Sequence, residues 1–138
     1  MKRSLLALVF ALPLAATDTV DLAVVNRIKS EAFERSKVMA RVDDQPVWSV
    51  VCFFVDRSAR KSGVTTALLE AAVAHAAKKG ARIVEGYPVD SHGKKLADTF
   101  AWFGLASAFE GAGFKEVARR SDTRPVMRYV VKKAARRG

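Results

Sequence analysis

Two alternations of apolar and polar residues organise the middle of the chain. Residues 47–55, Val47-Trp48-Ser49-Val50-Val51-Cys52-Phe53-Phe54-Val55, carry apolar side chains on both faces, the pattern of a strand covered on either side in the centre of a sheet. From Gly63 the period changes to that of a helix: Val64, Leu68, Ala71, Ala72 and His75 share one face, Lys78 and Lys79 fall in the last turn, and Gly80 is the stop. Residues 81–87 read as the next strand, ended by Pro88. Strand, helix and strand in that order predict a right-handed crossover between parallel neighbours. Beyond a loop, apolar residues over 96–112 predict one or two helical pieces interrupted by Gly104, and residues 114–118 and 126–131 predict a closing antiparallel pair. Before the central strand, residues 27–36 read as a loop or frayed turn, and Asp43-Asp44-Gln45-Pro46 marks a turn. The fold class is α/β or α+β, with a mixed sheet.

The N-terminal pattern has two readings. Met1-Lys2-Arg3 followed by an apolar run to Ala16 copies the order of a secretory signal. Pro13 interrupts that run, its length is too short to cross a bilayer, and no clean A-x-A site follows. A buried strand at 5–12, turning through Ala16-Thr17-Asp18-Thr19 into a second strand at 20–25, is favoured. The 138 residues, half of them hydrophobic, suit a single domain over 1–138, in which 1–19 is an atypical apolar strand or weak signal-like segment and 132–138 a basic tail.

Charge adds one asymmetry. The formal net charge is +10, and residues 115–138 hold 9 basic against 2 acidic groups, so most of the excess lies at the end. Such a tail attracts phosphates without choosing among nucleic acid, a membrane surface and an anionic cofactor, and a solvated tail is an equally good reading. Cys52 alone forms no internal disulfide, and with two histidines it makes no familiar metal-ligand spacing, so no metal is expected. Cys52 reads as a small buried apolar residue, His75 as part of the helix stripe and His92 as a loop residue.

Anion chemistry concentrates at the junction Arg60-Lys61-Ser62-Gly63-Val64-Thr65. The first turn of a helix has unpaired N–H groups and the positive end of the helix dipole. Gly63 lets the backbone approach a ligand closely, Arg60 and Lys61 add charge, and Ser62, Thr65 and Thr66 add hydroxyl donors. An ordinary strand-to-helix connection uses the same residue types.

The stretch resembles the acetyl-CoA motif of the GNAT N-acetyltransferase superfamily, R/Q-x-x-G-x-G/A after a central strand, with Arg60, Gly63 and Thr65 at its defining positions. Thr65 departs from the Gly or Ala of the pattern. The likeness continues through the strand at 47–55, through Glu85-Gly86-Tyr87-Pro88-Val89-Asp90, and through Ser107-Ala108-Phe109-Glu110-Gly111-Ala112-Gly113-Phe114; it spans roughly residues 20–131. It implies a mixed, mostly antiparallel central sheet with helices on both faces. It also implies acetyl-CoA as co-substrate, an unidentified amine as acceptor and a cytoplasmic setting. By position, backbone groups of Phe53 and Val55 would pair with the pantetheine arm, and Arg60, Lys61, Ser62, Gly63, Val64 and Thr65 would wrap the pyrophosphate. A central-strand N–H, that of Phe53 or its neighbour, would polarise the acetyl carbonyl.

Three departures bear on turnover. No acid stands on the strand at 48–55 to serve as base, with Asp56 or a water chain as substitutes. Phe109 occupies the position where many members place an acidic Tyr, leaving Ser107 and Tyr87 as candidate acids. Few residues precede the expected strand at 20–25, so the usual N-terminal helices of the acceptor pocket are missing or replaced, and a second copy, as a homodimer, or another partner would complete it. The expected function is N-acetyl transfer to an amine. The alternatives are a catalytically silent GNAT-like domain that binds acetyl-CoA, and a small basic nucleic-acid-binding protein. The last is the less favoured, since the tail lacks interleaved aromatic residues; a membrane partner is not expected.

Overall fold

The computed structural model describes residues 4–6, 35–53, 55, 57–94 and 102–132. The strand expected at 20–25, Asp56, the first helical residues expected after 95 and most of the basic tail lie outside these. Five strands form one sheet: β1 (Ser4–Leu6), β2 (Trp48–Val50), β3 (Ile83–Gly86), β4 (Lys115–Ser121) and β5 (Arg124–Val130), in the order β1-β2-β3-β5-β4. β1 and β2 pair in parallel, as do β2 and β3, whereas β3 with β5 and β4 with β5 are antiparallel. The sheet is mixed, as expected, with its described ladders divided evenly between the two senses. β1 overlaps the start of the strand expected at 5–12, whose remaining residues lie outside those described.

The helix α1 (Val64–Lys78) links β2 to β3, and α2 (Ala106–Gly111) precedes the β4–β5 hairpin. Gly63 precedes α1 with φ 79°, and Gly80 follows it with φ 86°, the left-handed conformation that a side chain at either place would oppose. α1 buries Leu68, Leu69, Ala72 and Ala76, while α2 buries Ala106 and Phe109. Both helices lie on one face of the sheet, in a core with Val50, Val84, Phe114 and Met127. Rings of Phe53, Phe109 and Phe114 meet edge to face there, with Phe109 in the middle at 5.9 Å from Phe53 and 5.0 Å from Phe114.

Alternation along the strands sends the next residues to the other face. There Val51, Tyr87 and Val126 form a smaller core with Val38, Met39 and Val42. That covering segment is anchored by Arg120, which donates to the carbonyl oxygens of Ala40 and Arg41 at 2.9 and 2.8 Å.

The observed strands differ in length from the periodicity. The antiparallel partners are longer than expected, because the hairpin extends its ladder through irregular register to Ser121↔Arg124. β2 is much shorter than 47–55, since its ladder to β3 ends at Val50↔Gly86. The Phe109 ring lies against Gly86, the last paired residue: a Cβ there would lie 2.7 Å from the Phe109 Cζ and closer still to Cε1. Gly86→Ala should therefore overpack this core and lower stability by about 1–3 kcal/mol in urea denaturation. Gly111→Ala, whose Cβ would meet Thr66 at an ordinary 3.7 Å, should be neutral or stabilising by up to about 1 kcal/mol.

Candidate functional site

The site begins where β2 and β3 stop pairing. Val51, Cys52 and Phe53 continue from β2, while Tyr87, Pro88 and Val89 continue from β3, but neither stretch is laddered to the other. Backbone polar groups in a buried sheet need partners, and here the chain supplies them from a third stretch. The Phe53 N–H donates to the Trp102 carbonyl at 2.7 Å, and the Val89 N–H donates to the Gly104 carbonyl at 2.9 Å. The Ala106 N–H returns a bond to the Val89 carbonyl at 3.0 Å, so Val89 and Leu105 make an isolated parallel bridge.

Below this opening, the chain from Val55 reaches α1 through a 3-10 turn, Arg57–Ala59, and the junction at 60–63. Lys61 and Gly63 both take positive φ, 63° and 79°. Arg60 donates from Nε to the Val55 carbonyl at 3.2 Å, and Ser62 Oγ donates to the Ala59 carbonyl at 2.5 Å, so two of the expected anion-binding side chains also brace the turn. Arg60, Lys61, Ser62 and Gly63 are exposed, while Val64 and Thr65 are half-buried. Among the described residues no side chain caps the N-terminus of α1, its first turn contains no acid, and a Cβ on Gly63 would meet nothing within 4 Å. These are the conditions under which helix amides accept a phosphate: free donors, no competing carboxylate and room for close approach.

The two hydroxyls expected as acids are not brought together. Ser107 is exposed in the first turn of α2, two residues beyond the bridge at Leu105. Tyr87 is fully buried, on the sheet face away from the helices, and donates its hydroxyl to Glu85 Oε1 at 2.7 Å, with Ser49 Oγ 3.2 Å away. Phe109 is a core residue, wholly buried between Gly86, Phe53 and Phe114. Cys52 is half-buried, and desolvation pushes its thiol pKa up, which suits the apolar reading.

The polar cluster around Tyr87 was not anticipated from the sequence, although an acid inside the apolar run Ile83-Val84-Glu85-Gly86 was its visible trace. Glu85 is fully buried and accepts from Arg128 Nε at 2.6 Å through its second oxygen. Arg128 then grips Asp43 with both terminal nitrogens, at 2.6 and 2.9 Å. Those hydrogen bonds raise the Arg128 pKa and hold the Asp43 carboxyl below the usual carboxylate range, with a backbone N–H from Gln45 adding to the second effect. The chain ties β2, β3 and β5 to the turn at 43–46.

A strand, a basic uncapped turn, a helix and a diverging parallel strand define an α/β protein with a split sheet. A family model described as Acetyltransferase (GNAT) family matches residues 33–104, more than half of the sequence, and the chain belongs to that family. The match takes in the central strand, the turn and α1, and members of the family are acyltransferases that use acetyl-CoA. No curated protein and no solved structure matches the chain. Among the described residues no helix is long and apolar enough to cross a membrane, and no group of His, Cys, Asp and Glu is placed to hold a metal ion.

Arg128→Met leaves the Glu85 carboxylate buried without its cation, and should cost about 3–5 kcal/mol by urea denaturation; adding Glu85→Gln should restore part of the loss. Asp43 has a depressed folded-state pKa, so its contribution is present above the ordinary carboxylate value, about 4, and is lost as pH falls through the folded value. Asp43→Asn should consequently be less stable than the wild type at neutral pH. The two denaturation midpoints should converge in acid.

Proposed function

We propose that this protein transfers the acetyl group of acetyl-CoA to an amine. The observation that carries this reading is the uncapped, basic start of α1, reached along the chain from the strand that parts from its parallel neighbour. The amides at Val64 and Thr65, with Arg60, Lys61, Ser62 and Gly63, hold the pyrophosphate. The Val55 region and the Phe53 N–H receive the pantetheine arm, and a central-strand N–H polarises the acetyl carbonyl. The amine nitrogen then forms a bond to the carbonyl carbon, the carbon–sulfur bond breaks, the nitrogen gives up a proton, and the departing thiolate takes one.

Of the two hydroxyls available to protonate the thiolate, Ser107 is the better placed, because it is exposed while the Tyr87 proton is donated to a buried carboxylate. The acceptor is an amine of unspecified identity, and a second copy or a partner completes its pocket. We place the activity in the cytoplasm, with residues 1–138 acting as one unit. A second reading, an acetyl-CoA-binding domain without turnover, draws on two observations: Phe109 lies wholly inside the core, and the Phe53 N–H is bonded to Trp102.

Saturating acetyl-CoA should raise the melting temperature by several degrees, since a ligand at about 100 times its Kd stabilises by about 2.7 kcal/mol. Gly63→Trp, which fills the open space and opposes the positive φ, should weaken acetyl-CoA binding at least about tenfold. An unchanged melting temperature at saturating acetyl-CoA would remove the proposal. Thiol release with a panel of amines distinguishes turnover from binding alone.

A further inference from the structure

The stretch from Trp102 to Leu105 lies in the split between the parallel strands, and backbone hydrogen bonds join it to both. Carbonyl oxygens of Trp102 and Gly104 accept from the Phe53 and Val89 amides, and the return bond comes from Ala106 at the start of α2. Pantetheine presents amide carbonyls of the same chemistry, and an extended arm laid along Phe53 would need that N–H. We propose that residues 102–105 form a displaceable internal strand that stands in for the pantetheine arm, so that acetyl-CoA binds by exchanging with it.

Packing supports exchange over a permanent wall. Trp102 and Leu105 are large apolar residues left 51% and 38% exposed, so their own burial contributes little, and the stretch is held mainly by Gly104 and by Phe103, half-buried under the Arg124 guanidinium at 5.3 Å. The contact with Val89 is a single bridge, where a ladder would zip several residues. Gly104 takes φ +77°, and a Cβ on it would lie 3.0 Å from Phe109 and 3.3 Å from Phe53, so the seated conformation tolerates only glycine. Immediately beyond, Ala106 and Phe109 are buried, which gives the segment a fixed hinge at α2. A device of this kind lowers apparent affinity by the fraction of time the strand is out, and it shields the split edges of the sheet when no cofactor is bound.

The inference rests on the acetyl-CoA reading above, and the experiment separates the two. Amide hydrogen exchange on the wild-type chain should show the Val89 amide exchanging about tenfold faster with saturating coenzyme A, as its Gly104 acceptor leaves, while Phe53 stays protected by its new partner. Adenosine 3′,5′-diphosphate, which lacks the pantetheine arm, should leave Val89 protected. Calorimetry on Gly104→Ala should show coenzyme A bound roughly fivefold to tenfold more tightly than by the wild type, because the substitution strains only the seated state. Coenzyme A binding with unchanged protection at Val89, or with no gain in folded Gly104→Ala, shows a fixed wall and overturns the exchange. If Gly104→Ala does not fold, the wild-type exchange measurement decides. A wild type that binds no coenzyme A overturns the acetyl-CoA reading itself.

Discussion

The need of buried backbone amides for partners governs this molecule. β2 and β3 share hydrogen bonds over only three residue pairs, Trp48↔Val84 to Val50↔Gly86, and then separate. Each amide beyond that point must find another acceptor or carry a desolvation cost of about 1–3 kcal/mol. A split sheet is thus a binding site for anything extended that offers carbonyl groups, and the family to which this chain belongs uses an extended thioester cofactor. Here the chain itself supplies two of the carbonyls.

The split is flanked by the aromatic core on one face and by a run of polar side chains that ties the strands on the other. Phe109 sits against Gly86 and Gly104 and meets the Phe53 ring, so one side chain touches all three stretches that meet at the split. Opposite, Ser49, Tyr87, Glu85, Arg128 and Asp43 form a continuous run of hydrogen bonds across β2, β3 and β5. Such a buried network tolerates few geometries, because each member left unpaired is penalised in a low-dielectric interior. It ties β2, β3 and β5 to one another next to the point where β2 and β3 part. The same packing encloses Phe109 and commits the Tyr87 hydroxyl to Glu85, whereas Ser107 stays exposed.

The basic turn at 60–63 is independent of that arrangement and is built from local rules. Positive φ at Lys61 and Gly63, two braces from Arg60 and Ser62, and an uncapped helix start all lie within a few residues of one another. For that reason it could be read from the order of residues, as could α1 with its glycine stop and the antiparallel hairpin.

The sequence by itself determined the strand, basic turn, helix and strand of the centre, since period, capping and glycine position act over short spans of chain. Only the tertiary structure decided that the apolar run at 47–55 would stay paired for three residues, that residues 102–105 would enter the gap, and that Glu85 would meet Arg128 from 43 positions away. Those outcomes depend on which distant groups compete for the same hydrogen bonds and the same volume. An apolar pattern marks a residue as buried, but it does not say which partner its backbone will find.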